Sequence, residues 1–363
     1  MKVLHILYSG LGGHGNVFFS MVNADLKREF DFAAIFNGIE PIRDEYVEQC
    51  KKKNIPFAYI EKKPGLHPGF FIKLYREIKK TNPDIIFLHG GIAVLPAWLA
   101  KLFSRRIKKI IVRETQANHL KNRGDWIRLT LSMMFANRIV FLSEEYHQEV
   151  AKKMGWIYSK KKSSVIPNGI DLNLYAPRPH TPSPSIKLGM VGRLVNSKDH
   201  STLLKAIAEL KKQDPTRSIK LMIAGDGEYK NELSSTAQEL NIAEDVIFTG
   251  QLNELELVDF LRELDIYIHA SLGETMSTAI MQAMASGKPI VASDVPGIHN
   301  MIEHGKRGLL VPAQDPEALA RVLHELINNK PEQERLASAA LTYAQENFSN
   351  LIMLDQYKQL FNN

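Results

Sequence analysis

Short apolar runs alternate along this chain with longer stretches whose apolar positions recur every three or four residues. The first pattern predicts buried strands, and the second predicts amphipathic helices packed on them. In the first half, strands are predicted at Lys2–Tyr8, Phe32–Phe36, Phe57–Tyr59, Ile85–Leu88, Lys109–Arg113, Arg138–Leu142 and Val165–Ile166. Helices are predicted between them, near Val17–Lys27, Arg43–Lys53, Phe70–Lys80, Ile92–Phe103, Trp126–Ala136 and Glu144–Met154. Residues 176–185 then carry four prolines, which predicts a linker. The alternation restarts with strands at Ile186–Val191, Lys220–Ala224, Val246–Thr249, Ile266–Ala270, Pro289–Ala292 and Gly308–Val311. The helices between them include Thr278–Ala285. Repeated βα units predict an α/β chain with a parallel, doubly wound sheet in each half. The expected domains are 1–175 and 186–348. Ligands in such sheets sit beyond the carboxyl ends of the strands, so a cleft between two facing edges is the expected site.

Composition narrows the picture. The chain has 363 residues, 44% hydrophobic and 24% charged, as expected for folded globular domains. Its single cysteine, Cys50, excludes an internal disulfide and a cysteine zinc cluster. The amino terminus runs straight into a predicted strand, without the pattern of a signal peptide. No apolar run reaches the roughly 20 residues of a membrane span. A cytoplasmic protein is therefore expected.

Charge is unevenly spread. Residues 1–175 hold 28 Lys and Arg against 16 Asp and Glu, a balance of +12. The remainder holds 18 against 24, a balance of −6. Clusters such as Lys51–Lys53 and Lys160–Lys162 are either solvated helix ends or a surface that meets an anionic membrane. No nucleic-acid motif accompanies them, so nucleic acid is not an expected partner.

Three segments carry candidate chemistry. After the first strand comes Ser9-Gly10-Leu11-Gly12-Gly13-His14-Gly15. It is either a tight turn or a loop whose amides hold a phosphate. Its glycine spacing alone is a weak dinucleotide fingerprint. The acid that should close the second strand is replaced by Asn37-Gly38, which argues against an oxidoreductase. After Ile186–Val191 comes Gly192-Arg193, with Lys198 five residues on. Those two cations are either ordinary surface residues or a grip for a diphosphate. The third segment runs from Gly273-Glu274 into the predicted helix that holds Gln282. Glu274 either caps that helix or binds a ligand. Eight helical residues span roughly 12 Å, the reach from a sugar to a ribose across a diphosphate. The amides of Met276, Ser277 and Thr278 are expected to point at an anion there.

Taken in order, the motifs resemble glycosyltransferase family 4. They are the Gly12-Gly13 loop, Pro167-Asn168-Gly169-Ile170-Asp171, Gly192-Arg193-Leu194 with Lys198, Gly225-Asp226-Gly227, Phe248-Thr249-Gly250, the Glu274 helix and Pro289–Asp294 with Pro296-Gly297. The resemblance implies the GT-B fold: two Rossmann-like doubly wound domains facing each other across a cleft. It also implies that residues 1–175 bind the acceptor and 186–348 the nucleotide sugar. A last helix in 349–363 would return to the first domain.

By the same resemblance, Arg193 and Lys198 hold the donor diphosphate, Gly250 and Gln251 lie by the base, and Gly273 and Glu274 meet the donor sugar. Gln282 stands where the family has a second carboxylate, a ribose ligand; an amide there still accepts from a hydroxyl. The family's histidine–acid pair after Lys109–Arg113 is absent. Glu114 and His119 are the candidate replacements on the acceptor side, and His89 has a similar claim. The implied activity is retaining transfer of a hexose, UDP-linked by expectation, to a saccharide or lipid-linked acceptor in cell-surface polysaccharide synthesis. The resemblance also implies no cofactor and no metal, and the absence of an Asp-x-Asp motif fits that. A non-catalytic nucleotide-sugar sensor is the alternative that Gln282 keeps open.

Overall fold

The computed structural model describes residues 1–10, 13–65, 67–178 and 184–362. They divide into two compact units, Met1–Gly169 with the C-terminal helix Asn350–Asn362, and Ile170–Ser349. In the first, β1 (Lys2–Tyr8), β2 (Asp31–Gly38), β3 (Phe57–Glu61), β4 (Ile85–His89), β5 (Lys109–Arg113), β6 (Arg138–Phe141) and β7 (Ser163–Val165) form one parallel sheet in the order β3-β2-β1-β4-β5-β6-β7. In the second, β8 (Ile186–Val191), β9 (Ile219–Ala224), β10 (Val246–Gly250), β11 (Ile266–His269), β12 (Ile290–Ser293) and β13 (Leu309–Val311) are ordered β10-β9-β8-β11-β12-β13.

Both sheets are covered on both faces, and the sequence shows why. Consecutive residues of β4 point to opposite sides, and every one is apolar until His89. Ile86 and Leu88 enter one core layer and Ile85 and Phe87 the other. The second layer is completed by the helix Gly13–Ala24 and by Met353, Leu354, Tyr357 and Phe361 of the C-terminal helix. These four share one side of that helix, which seats it on the first unit.

Several element limits differ from the expected ones. The first helix begins at Gly13 rather than near Val17, because a buried Gly15 lets its first turn lie on Tyr46. A Cβ at Gly15 would sit 2.2 Å from that ring. Residues 91–102 split into a short 3-10 turn and the helix Val94–Leu102. The boundary between units falls at Gly169/Ile170, not at 175. Ile170 donates its N–H to the Phe348 carbonyl (2.8 Å), and Tyr175 is buried in a core of the second unit. Residues 179–183 of the expected linker lie outside the described residues.

In each sheet the strand order reverses once. The reversal lies between β1 and β4 in the first unit and between β8 and β11 in the second. The loops leaving those strands diverge there and leave room for a ligand at the carboxyl edge.

Candidate active site

The site is built at the reversal point of the second sheet. The loop after β8 carries Arg193 and Lys198, and the loop after β11 carries Gly273 and Glu274. Two glycines bring the first of these loops close to its neighbour. A Cβ at Gly225 (φ +142°) would sit 1.9 Å from the Gly192 carbonyl oxygen, and one at Gly227 would sit 2.4 Å from that of Leu194. Leu194 donates its N–H to the Asp226 carbonyl at 3.0 Å, and Gly225 donates to Gly250 at 2.8 Å. The motif glycines therefore serve first to pack loops after β8, β9 and β10 together. Gly250 itself closes β10 with a positive φ of 74°.

The loop after β11 is held on both sides. Leu272 N–H and the Ser271 hydroxyl donate to the Ser197 carbonyl at 2.9 and 3.2 Å. Glu274 N–H donates to the Pro296 carbonyl at 3.2 Å. A Cβ at Gly297 (φ +79°) would sit 2.1 Å from the Glu274 carbonyl oxygen, so only glycine allows this approach.

Glu274 is thereby brought onto Lys198, whose ammonium hydrogen-bonds its Oε1. His269 Nε2 lies 3.1 Å from the same oxygen, and the Tyr267 hydroxyl lies 3.0 Å from His269 Nδ1. Burial opposes the charge on Glu274, but Lys198 and His269 outweigh it and hold the carboxyl at about 2. Burial keeps His269 below the usual imidazole value. A neutral ring between a phenol and a carboxylate is assigned as accepting from Tyr267 and donating to Glu274. Tyr267 and His269, both buried, thus form one chain that ends at the half-buried Glu274 carboxylate. His200, next to Lys198, is buried and held at about 4, first by burial and then by Lys198 and His269.

Glu274 is not the helix cap. The helix starts at Thr278, and the Ser277 hydroxyl accepts from Ile280 N–H at 3.4 Å. Met276 and Ser277 therefore precede the helix and are not part of its first turn. The amides of Thr278 and Ala279 have no intrahelical acceptor. Gln282 is buried in the helix, and its amide donates to the Tyr175 hydroxyl at 2.8 Å. Arg193 is exposed.

In the first unit the reversal point gathers histidines. His5 Nδ1 and His89 Nε2 lie 3.1 Å apart, and His14 Nε2 lies 3.0 Å from Thr115 Oγ1. Burial, then the nearby Arg113 charge, holds His5 and His14 at about 3. Burial, with His5 next, holds His89 well below its usual value. Gly13 opens the adjoining helix and is exposed, while Gly12 lies outside the described residues.

The two acceptor-side candidates differ in burial. Glu114 is buried and bound to Lys121 Nζ (3.2 Å) and the Tyr146 hydroxyl (3.2 Å). His119 is exposed on the turn Asn118–Leu120. Glu114 is thus held in an ion pair next to Arg113 and Thr115, and His119 lies on the surface. His89, the third acceptor-side candidate, is part of this histidine group, and His14 joins it without having been singled out by spacing. His269 was missed altogether, although a polar residue ending an apolar strand was a visible signal.

Both halves of the chain match known glycosyltransferase families. Residues 176–342 match the model described as glycosyl transferases group 1, and residues 11–174 match that of glycosyltransferase family 4. The chain belongs to this glycosyltransferase family. As an enzyme it is similar to the lipopolysaccharide core biosynthesis glycosyltransferase LpsE of Rhizobium meliloti (strain 1021). The two are 24% identical over 99% of this chain and 98% of that one. It is also 31% identical to the D-inositol 3-phosphate glycosyltransferase of Corynebacterium glutamicum (strain R), over 55% of this chain and only 51% of the relative. Among solved structures, Anabaena Alr3699/HepE in complex with UDP and glucose superimposes with a TM-score of 0.83, at 20% identity and full coverage of both chains. The lipopolysaccharide outer core galactosyltransferase WaaB superimposes with a TM-score of 0.69 at 20% identity, over 100% of this chain and 99% of that one. These likenesses establish the GT-B fold of two Rossmann-like domains for this glycosyltransferase.

Proposed function

We propose that this glycosyltransferase moves a hexose from a UDP-sugar to a hydroxyl of a saccharide or lipid-linked glycan, with retention at the anomeric carbon. The observation that carries the reading is the Tyr267–His269–Glu274 chain closed by Lys198 at the reversal point of the second sheet. An ionised carboxylate held this firmly suits a hydroxyl-rich sugar, which offers donors to its free oxygen lone pairs. Lys198 and Arg193 then face the diphosphate and offset the charge that grows on it as the glycosidic bond breaks. The first-turn amides of the helix Thr278–Ala285 add a further donor pair for phosphate. Gln282 meets the ribose through its amide, in place of the family's second carboxylate. These residues require no metal in the scheme.

Support for UDP comes from the structural relative described in complex with UDP and glucose. Support for a lipid-linked or saccharide acceptor comes from the relative named for lipopolysaccharide core biosynthesis. The basic first unit would take the acceptor and work at the inner face of a membrane. No helix among the described residues is long and apolar enough to cross one.

The test is a thermal-shift panel of UDP, GDP and ADP with their sugars. Ligand at about 100 times its dissociation constant stabilises by about 2.7 kcal/mol, so UDP should raise the melting temperature most. A larger shift with GDP or ADP would overturn the choice of base. No shift with any nucleotide would overturn the donor site itself.

A further inference from the structure

The helices Val94–Leu102 and Arg123–Phe135 lie side by side on the first sheet. Each buries one stripe, through Ala97 and Ala100 in the first and Leu129 and Met133 in the second. Their outer stripes are apolar as well. Leu95, Leu99 and Leu102 recur at i, i+4 and i+7 and are exposed, and Phe103 at the helix end is 65% exposed. Ile127 and Met134 repeat the spacing on the second helix, also exposed. Between the two stripes the rings of Trp98 and Phe135 meet at 4.7 Å. Isolated exposed leucines are ordinary, but stripes on two adjoining helices mark an interaction surface.

Cations crowd the carboxyl ends of the same helices. Lys79 Nζ donates to the Phe103 carbonyl at 2.8 Å, and Lys101 Nζ donates to Asn137 Oδ1 at 2.6 Å. Lys162 Nζ donates to the Met133 and Met134 carbonyls at 2.9 and 3.2 Å, and Lys160 and Lys161 beside it are exposed. The turn leading to them carries Trp156, 93% exposed. Burial lowers the pKa of Lys101, and the Lys162 charge lowers it further. Lys109 is lowered by burial, then by Arg138, Lys108 and Lys101. The lone carboxylate in either helix, Asp125, is buried in the first turn against Arg128. Lys101 and Lys162 repel one another while each is held by neutral oxygens, so an anionic surface would relieve them.

We propose that this face docks on an anionic lipid bilayer. The leucine and phenylalanine stripe enters the headgroup boundary, and the lysines at the helix ends meet lipid phosphates. A second copy would set like charge against like charge, and a nucleic acid has no use for the leucine stripe. The proposal rests on reading the first unit as the side that meets a membrane-borne acceptor, but its test uses neither donor nor acceptor.

The full chain is sedimented with vesicles of phosphatidylcholine alone and of phosphatidylcholine mixed with phosphatidylglycerol. Binding is expected only with the mixed vesicles. It should weaken at least about 10-fold between about 0.05 M and about 0.5 M salt. The variant L99Q/F103Q should lose at least about 10-fold in binding. The variant K160E/K161E should lose the preference for phosphatidylglycerol. Both change exposed side chains, and each should keep its UDP-induced thermal shift. That shift separates a failure of docking from a failure of the donor site. Undiminished binding by L99Q/F103Q, or no binding at low salt, overturns the proposal. A wild-type dimer that L99Q/F103Q dissolves would assign the face to a second copy instead.

Discussion

His269 Nε2 stands 3.1 Å from Glu274 Oε1, and the histidine is completely buried. That contact fixes one carboxylate oxygen while Lys198 holds the same atom. Glu274→Ala and Lys198→Ala are each expected to lower transfer by about 10²-fold or more in a folded protein. Loss of Lys198 also leaves the half-buried Glu274 carboxylate with His269 as its remaining charge partner, so stability should fall as well. Initial rates and chemical denaturation on the same preparations check both. Full activity in both variants would refute the assignment of the site.

His269→Ala should lower kcat more than it raises the donor KM, because it frees Glu274 to turn without removing it. A purely structural histidine would lower stability and leave kcat per folded molecule unchanged. His269→Gln, whose amide nitrogen takes the place of Nε2 and can still donate to Glu274, is expected to recover part of the rate.

Gly297→Ala places a methyl group where the Glu274 carbonyl oxygen already lies, on a backbone with φ near +79°. The expected result is a loss of more than about 1 kcal/mol in stability with a fall in transfer. Gly305→Ala, also at positive φ but with open space around the glycine, supplies the control for strain alone. Equal loss of activity in the two would sever the link between Gly297 and Glu274.

Stability should fall as the medium is acidified, in two stages. His5 and His14 titrate at about 3 instead of 6.5, so below about 6.5 the unfolded chain binds protons that the folded chain refuses. The carboxyl of Glu274 lies at about 2 instead of 4.5, so its contribution is intact above 4.5 and disappears as the pH falls toward 2. Denaturant titrations at several pH values should show stability dropping between about pH 6.5 and 5, and His5→Gln should make that drop shallower. A flat profile over this window would contradict the buried neutral histidines.

Gln282→Ala should raise the donor KM with little change in kcat, as expected for a ribose contact made equally in ground and transition states. An unchanged KM would restrict Gln282 to its bond with Tyr175.

What the sequence determined by itself was the architecture and the motif set. Local periodicity decides strand from helix, and unbroken apolar runs such as Ile85–Leu88 require a sheet covered on both faces. The glycines at 192, 225, 227 and 297 were legible as motifs, because a missing Cβ is a chemical fact of the residue. The helix Thr278–Ala285 was bounded as observed, since Ser277 is a ready cap.

What only the tertiary structure decided was which polar groups meet. Lys198 and Glu274 are 76 positions apart, and nothing local says that one neutralises the other. Glu114 read as a free carboxylate until the fold buried it with Lys121 and Tyr146. His269 read as a strand end until the fold set it between a phenol and a carboxylate. Charge partners follow from where strands are ordered in a sheet, and that order is set by packing over the whole unit, which one-dimensional spacing does not carry.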